Sequence, residues 1–427
     1  MTNLSYIKTG ARKDPEFKID ISTDESVGAI LFDTSGFNNP FESYPLLYHK
    51  FKDGAVQSVI NMDDANLIGI KDDGFMNGVL YYHLSQFYNI VGKNHLLYIA
   101  IADCTSDWDI LWKMQQQVNG KIFQIGVWTS QPLFKLNQDN SLGFTSVITD
   151  IQNQADVING KINNSTTSMV PLNIVLCGNC KSVNDTSVNF RNLPDAKNLN
   201  CPKVSVILAQ NGSKEVHDIQ KNNPNNAPVS SIGFVMAFLA ICGAEESIAS
   251  LGKCDLNKNE GFNYPELGVG NDNTPLSKIH PILAQNLSSK GYIIPVSYDG
   301  KEACYFYSSD QTLSYGDFGN IANNRVMHKC RRAACSALIP YINSHHIYSP
   351  GTNTISETSM SIIRDSINTA IDSVMKNNLG KEQIDGRSVF FDDKDNIIET
   401  DSISIKLKIK PANYDSFISE EVSHSMI

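Results

Sequence analysis

Cys177-Gly-Asn-Cys180, with Cys201 downstream, is the one local spacing in the sequence suited to metal or redox chemistry. A structural zinc site takes four ligands, and His217 is the only nearby candidate for the fourth. A thioredoxin-type pair would open a helix after its strand, whereas Lys181-Ser-Val-Asn-Asp185 reads as a loop. Ordinary thiols at a strand end are the leading reading of Cys177 and Cys180, with weak metal or redox roles as the alternatives.

Other reactive side chains lack partners at useful spacing. His345-His346 has no carboxylate or cysteine at ligand distance and reads as a surface pair. Asp63-Asp64 and Asp392-Asp393-Lys394-Asp395 read as turns or weak cation binders, the latter without the Gly and terminal Glu of an EF-hand loop. Tyr81-Tyr82-His83 reads as core aromatics beside a partly exposed His. The sequence contains no phosphate-cradling G-x-x-x-x-G-K-[ST], no G-x-G-x-x-G after a strand, no G-x-S-x-G and no H-E-x-x-H. No catalytic residues, metal or cofactor are therefore expected.

The elements that would carry any site come from hydrophobic period. Val27 to Phe32, Leu96 to Ile101, Ile122 to Trp128, Leu172 to Cys177 and Val204 to Ala209 are apolar runs too continuous to have one wet face. Between them, Val79, Leu80, Leu84, Phe87 and Tyr88 recur at helical spacing. So do Trp108 to Val118, the set Val147, Ile148, Ile151, Ala155 and Ile158, and the apolar run from Ile232 to Leu251. Strands alternating with amphipathic helices predict an α/β domain over residues 23–275, its sheet covered on both faces. Polar stretches at 181–200, 211–230 and 253–274 are expected to be surface excursions. Tyr292-Ile-Ile-Pro-Val296 and Ala303 to Tyr307 read as further strands within a C-terminal unit, residues 276–411.

That unit holds the clearest patterns. Asn324 to Ile339 places Arg325, His328, Lys329 and Arg332 on one helical face, and Val326, Cys330, Ala333, Ala334, Ala337 and Leu338 on the other. The basic face is either solvated or directed at an acidic partner. Thr354-Ile-Ser-Glu357 matches a capping box, Ile363, Ile367, Ile371 and Val374 follow at helical spacing, and Gly380 supplies a stop. Then Ile403, Ile405, Leu407 and Ile409 alternate with Ser404, Lys406, Lys408 and Lys410, as in a half-buried strand with a cationic face. Phe17, Ile19 and Ile21 alternate within residues 1–22, and Phe417 to Val422 could form a strand within 412–427. Both ends read as extended arms able to pair with their own sheet or with the exposed edge of a neighbour's.

The run N-R-V-M-H-K-C-R-R-A-A-C-S-A-L-I-P (Asn324 to Pro340), the capped helix after it, and the Gly380-to-Pro411 ending together resemble contractile phage tail sheath proteins, including sheaths of phage-tail-like contractile injection systems. Gly28-Ala-Ile-Leu-Phe-Asp33 and Tyr81-Tyr-His83 look similar to divergent members. The resemblance implies a tail-sheath-like α+β fold whose subunits form hexameric rings, stacked as a helical sheath around an inner tail tube protein. Such a sheath is bounded by baseplate and terminator proteins, and contraction drives the tube through a target envelope. It implies arm strands at Phe17, Ile19, Ile21, Phe417, Ile418 and Val422, which add to a receiving sheet at Ile403, Ile405, Leu407 and Ile409. Arg325, Lys329 and Arg332 would face the tube, with Arg364 and Lys376 as second choices. Synthesis would be in the bacterial cytoplasm, and assembly in a virion tail or injection particle.

Charge and hydropathy narrow the alternatives. With 45 Asp+Glu against 35 Lys+Arg over 427 residues, the formal net charge of −10 argues against direct nucleic-acid binding. Ile232 to Ala244 is too short to span a bilayer, and no apolar h-region follows Arg12 and Lys13. An α/β enzyme without a local motif and another tail or baseplate component are the competing readings.

Overall fold

The five apolar runs become the parallel strands of one sheet because each buries both faces. In the computed structural model, residues 22–37, 44–72, 76–139, 141–159, 170–178, 190–268, 273–301, 303–341, 344, 347–349, 354–376, 382–391 and 403–412 are described. Strand β1 (Gly28–Asp33) is followed by α1 (Pro45–Phe51), β2 (Gln57–Val59), α2 (Met62–Leu67) and α3 (Met76–Val91). Then come β3 (Leu97–Ala102), α4 (Ile110–Gln117), β4 (Gln124–Trp128), β5 (Phe134–Leu136), β6 (Leu142–Phe144), α5 (Val147–Asn159) and β7 (Asn173–Cys177). Next are β8 (Val204–Ile207), β9 (Ala209–Asn211), α6 (Lys214–Asn222), α7 (Ile232–Ile241), β10 (Pro265–Leu267), β11 (Thr274–Pro275) and α8 (Pro281–Ser289). The order closes with β12 (Tyr292–Ile293), β13 (Pro295–Val296), β14 (Phe306–Tyr307), α9 (Ile321–Leu338), α10 (Glu357–Val374), β15 (Ile384–Phe391) and β16 (Ile405–Pro411).

The main sheet has the order β12-β8-β7-β4-β1-β3-β2. β2 runs antiparallel to β3, and the other neighbours are parallel. Side-chain alternation divides its two faces. Ile30, Phe32, Ile99, Ile101 and Val175 face a core with α3 and α7, while Ala29, Leu31, Ala100, Ile174 and Leu176 face another with α4 and α5. α7 is apolar around its whole circumference because it is buried between the sheet and α3. At Gly233 a Cβ would lie 2.2 Å from the His83 carbonyl oxygen, so only glycine permits that approach. The edge strand β12 lies beyond residue 275, so the sheet draws on residues assigned by sequence to the C-terminal unit.

A third core joins α9, α10, β15 and β16. Val326, Cys330 and Ala333 of α9 meet Ile363, Ile367 and Ile371 of α10, and Val389, Ile405, Leu407 and Ile409 cover them from the strand pair. Burying each of these isoleucines on α10 contributes about 1.5–3 kcal/mol.

Several local expectations are corrected. α7 ends at Ile241 rather than continuing to Leu251, because Cys242 takes an extended ψ of 139° and Gly243 N–H turns to the Glu246 carboxylate at 2.8 Å. The polar stretch 211–230 contains α6, capped by Ser213 accepting from Val216 N–H. α10 is capped by Ser356, which accepts from Ser359 N–H, rather than by Thr354. His83 is wholly buried, not partly exposed. Phe17, Ile19, Ile21, Cys180, His345, His346, Gly380, Asp392, Asp393, Asp395, Phe417, Ile418 and Val422 lie outside the described residues.

Candidate functional site

The basic face of α9 points into the molecule. Arg325, Lys329 and Arg332 are 0%, 4% and 0% exposed, which corrects the expectation that they are solvated or face a tube. Helical period locates the charge but not its acceptors, which are carbonyl oxygens before the strands and at the end of α7 together with the side chains of Glu25 and Gln383. The Arg332 guanidinium donates to the carbonyls of Gly120 (2.7 Å), Ile122 (2.6 Å), Pro171 (2.9 Å) and Ser22 (3.2 Å), and lies 4.0 Å over the Phe123 ring. These segments lead into β4, β7 and β1. Arg325 donates to the carbonyls of Leu239 (2.7 Å), Cys242 (3.2 Å) and Gly243 (3.0 Å) at the end of α7, and to that of Glu25 (3.2 Å). Lys329 Nζ lies 2.8 Å from the Glu25 carboxylate and 2.8 Å from Gln383 Oε1.

One helix thus ties the segment before β1, the amino end of the main sheet, the end of α7 and the start of the β15–β16 pair into one junction. Burial pulls Arg332 down to about 9, which leaves it protonated at neutral pH. Burial also pushes the Glu25 carboxyl up, but attraction to Lys329 and hydrogen bonds from Lys329 and Gln383 outweigh it, holding the pKa below its ordinary value. His328 sits 3.2 Å from Lys203 Nζ and is held neutral, well below its usual range, by burial and by the charges of Lys203, Arg332 and Arg331. An ammonium can only donate, so His328 Nε2 accepts and the ring proton is on Nδ1.

The carboxyl ends of the strands are where a doubly wound sheet places a ligand, and β1 between β3 and β4 marks the switch point. Asp33 stands there, 0% exposed. Its Oδ1 accepts from the amides of Ser35 (2.9 Å) and Cys104 (3.0 Å). Its Oδ2 accepts from Ser35 Oγ (2.5 Å), Thr129 Oγ1 (2.6 Å) and Gln131 Nε2 (3.0 Å). Five donors saturate the carboxylate, which clamps the three loops together.

Cys177 is buried at the end of β7, where its Sγ accepts from Thr129 N–H at 3.2 Å. Burial, reinforced by Asp156, raises Cys201 to about 11, and His217 is engaged by Glu266 at 2.9 Å. Among the described residues no group of three or more His, Cys, Asp and Glu could hold a metal. Asp63 and Asp64 occupy the first turn of α2, where Asp64 accepts from Ile60 N–H.

The second feature is the strand pair. β15 and β16 run antiparallel from Ile384↔Pro411 to Phe391↔Ile405, and among the described residues they form a sheet of two. Ile403, Ile405, Leu407 and Ile409 turn inward against the third core, while Lys406, Lys408 and Lys410 are exposed. Each strand therefore has an outer edge with no strand on it among the described residues. On α10, Arg364 stays one-third exposed beside Glu357 (3.2 Å), and Lys376 beyond it is more open.

A central mixed α/β sheet flanked by helices, carrying a unit of two helices and two strands, defines the fold. Two cryo-EM structures share it. One chain is from the anti-feeding prophage (AFP) baseplate, 6-fold symmetrised: TM-score 0.50, 10% identity, with 100% of this chain and 100% of that chain covered. The other is from an extracellular contractile injection system, the PVC sheath complex in its contracted state: TM-score 0.50, 12% identity, with 100% of this chain and 98% of that one covered. At such identities the likeness is one of fold. No protein-family model matches the sequence, and a search of curated proteins finds no match.

Proposed function

We propose that the chain is a structural, non-enzymatic subunit of a contractile injection system, and within such a particle the sheath subunit. The observation that carries this reading is the fold shared over the full chain with components of two such particles. Residues 1–22 and 412–427 act as arms. Phe17, Ile19 and Ile21, and Phe417, Ile418 and Val422, add strands to the open edges of a neighbour's β15–β16 pair. Residues 23–275 and 276–411 supply the body, arranged as six-membered rings stacked around an inner tube. A two-stranded sheet is marginal alone and gains backbone hydrogen bonds from each added strand. The buried junction keeps each subunit rigid while its contacts with neighbours exchange, as a lattice with two packings requires.

A baseplate component is the second reading, favoured by the likeness to the baseplate chain. Deleting Ser416–Ile427 tests the sheath reading: polymers should disappear while the far-UV spectrum of the monomer stays unchanged. Loss of folding would place that segment within its own domain and contradict strand exchange.

A further inference from the structure

Cys242 caps the end of helix α7, and after a short excursion the chain returns to Cys254, with the two sulfurs 3.4 Å apart. Both are buried, at 2% and 0% exposure. The excursion is closed by local contacts: Glu246 accepts from Gly243 N–H (2.8 Å) and pairs with Lys253 Nζ (2.5 Å), and Cys254 N–H donates to Ser250 O (2.9 Å). Leu251 is 41% exposed, and Gly252 and Lys253 are also open to solvent, so the residues just before Cys254 lie at the surface.

We propose that Cys242 and Cys254 are a modification site, a dithiol that a hydroperoxide converts to an intrachain disulfide fastening residues 242–254 to the end of α7. The geometry assigns the order of events. The two sulfurs share a hydrogen bond in which either can donate, and the Arg325 guanidinium stands against the Cys242 carbonyl at 3.2 Å. The contact between the two sulfurs and the Arg325 charge lower the Cys242 thiol, whereas that contact and burial raise Cys254. With the Arg325 cation on its side of the pair, Cys242 is the nucleophile. Burial raises the thiols of Cys104, Cys201 and Cys330, which disfavours attack there.

The Cys242 thiolate attacks a peroxide oxygen, the O–O bond breaks, and a sulfenic acid forms as hydroxide leaves and takes a proton to become water. The Cys254 sulfur then attacks the sulfenyl sulfur. The S–S bond forms, the S–O bond breaks, and the hydroxyl leaves as water with the Cys254 proton. Two thiols and one hydrogen peroxide give one disulfide and two waters, with two electrons passing from sulfur to oxygen. Three acceptors of Arg325, the carbonyls of Leu239, Cys242 and Gly243, lie at the stapled end of α7. Oxidation therefore also fixes the α7–α9 contact.

The test treats the folded full chain with hydrogen peroxide, alkylates it under denaturant, and maps the peptides by mass spectrometry. The expected result is a chain lighter by two hydrogens, with titratable thiols falling from nine to seven and a 242–254 crosslink. A Cys254→Ser variant should accumulate a dimedone-reactive sulfenic acid at Cys242, and a Cys242→Ser variant should show no such adduct at Cys254. Full alkylation of both cysteines after peroxide, a crosslink mapped to another pair, or equal dimedone labelling of the two variants would overturn the assignment.

Discussion

Lys329 Nζ lies 2.8 Å from the Glu25 carboxylate, joining two residues far apart in sequence at the point where the first strand, the main sheet and the C-terminal unit meet. The lysine side chain is 5% exposed and that of the glutamate 18%, so solvent screens the pair only partly.

Removing the cation strands the anion. Lys329→Met should lower stability by about 3 kcal/mol, the low end of the range for a broken buried pair because Glu25 retains some solvent contact. Urea titration of the variant checks this, and Glu25→Gln in the same background should recover part of the loss. A Lys329→Met midpoint equal to that of the parent would remove the pair from the account.

Arg332 should tolerate no replacement. Three of its four carbonyl acceptors, those of Gly120, Ile122 and Pro171, are buried, and each left unpaired costs about 1–3 kcal/mol. Lysine cannot reproduce the planar fork, so Arg332→Lys should destabilise nearly as much as Arg332→Leu. Thermal unfolding that separates the two by more than half of the Leu effect would argue that charge, and not the fork, carries the junction.

Acid should weaken the protein well above the carboxylate range. His328 is held neutral, and burial pushes His83 down to about 3. Below about pH 6.5 the unfolded chain binds protons at both positions that the folded chain excludes, so stability falls with pH by up to about 1.4 kcal/mol per unit for each. Glu25, lowered in the folded state, adds a loss of the same sign only below about 4.5, its ordinary value. Denaturant midpoints measured from pH 7 to pH 5 should slope downward, and His328→Gln should roughly halve the slope. A flat profile would contradict the neutral assignment.

In the sheath proposed above, tube contact would fall to Arg364 and Lys376, which are 33% and 56% exposed. Arg364→Glu with Lys376→Glu should change stability by no more than about 0.5 kcal/mol, as exposed pairs do, yet reduce co-sedimentation with the inner tube protein. Undiminished co-sedimentation would eliminate this face of α10 as the contact.

The parallel sheet was legible because continuous apolar runs such as Ala29 to Phe32 have no other stable home, and α3, α5 and α10 because their apolar period survives in the folded chain. α6 escaped notice since only two of its apolar side chains, Val216 and Ile219, are buried, too few to mark a period. The end of α7 was hidden because Cys242 to Ala244 keeps an apolar composition while the backbone turns. The junction was half visible. Arg325, Lys329 and Arg332 stood out, but the arginines bind backbone carbonyls, which carry no sequence signature, and Lys329 binds Glu25 and Gln383, both distant in sequence. The small side chains opposite, Ala333 and Ala334, were the available hint that both faces of α9 are packed.

Electron microscopy of the purified full-length chain across protein concentration and salt tests the central claim most directly. The account predicts hollow, striated tubes or stacked rings with continuous strand density along the outer edge of Ile405–Pro411. Persistently monodisperse monomers under every condition would contradict it.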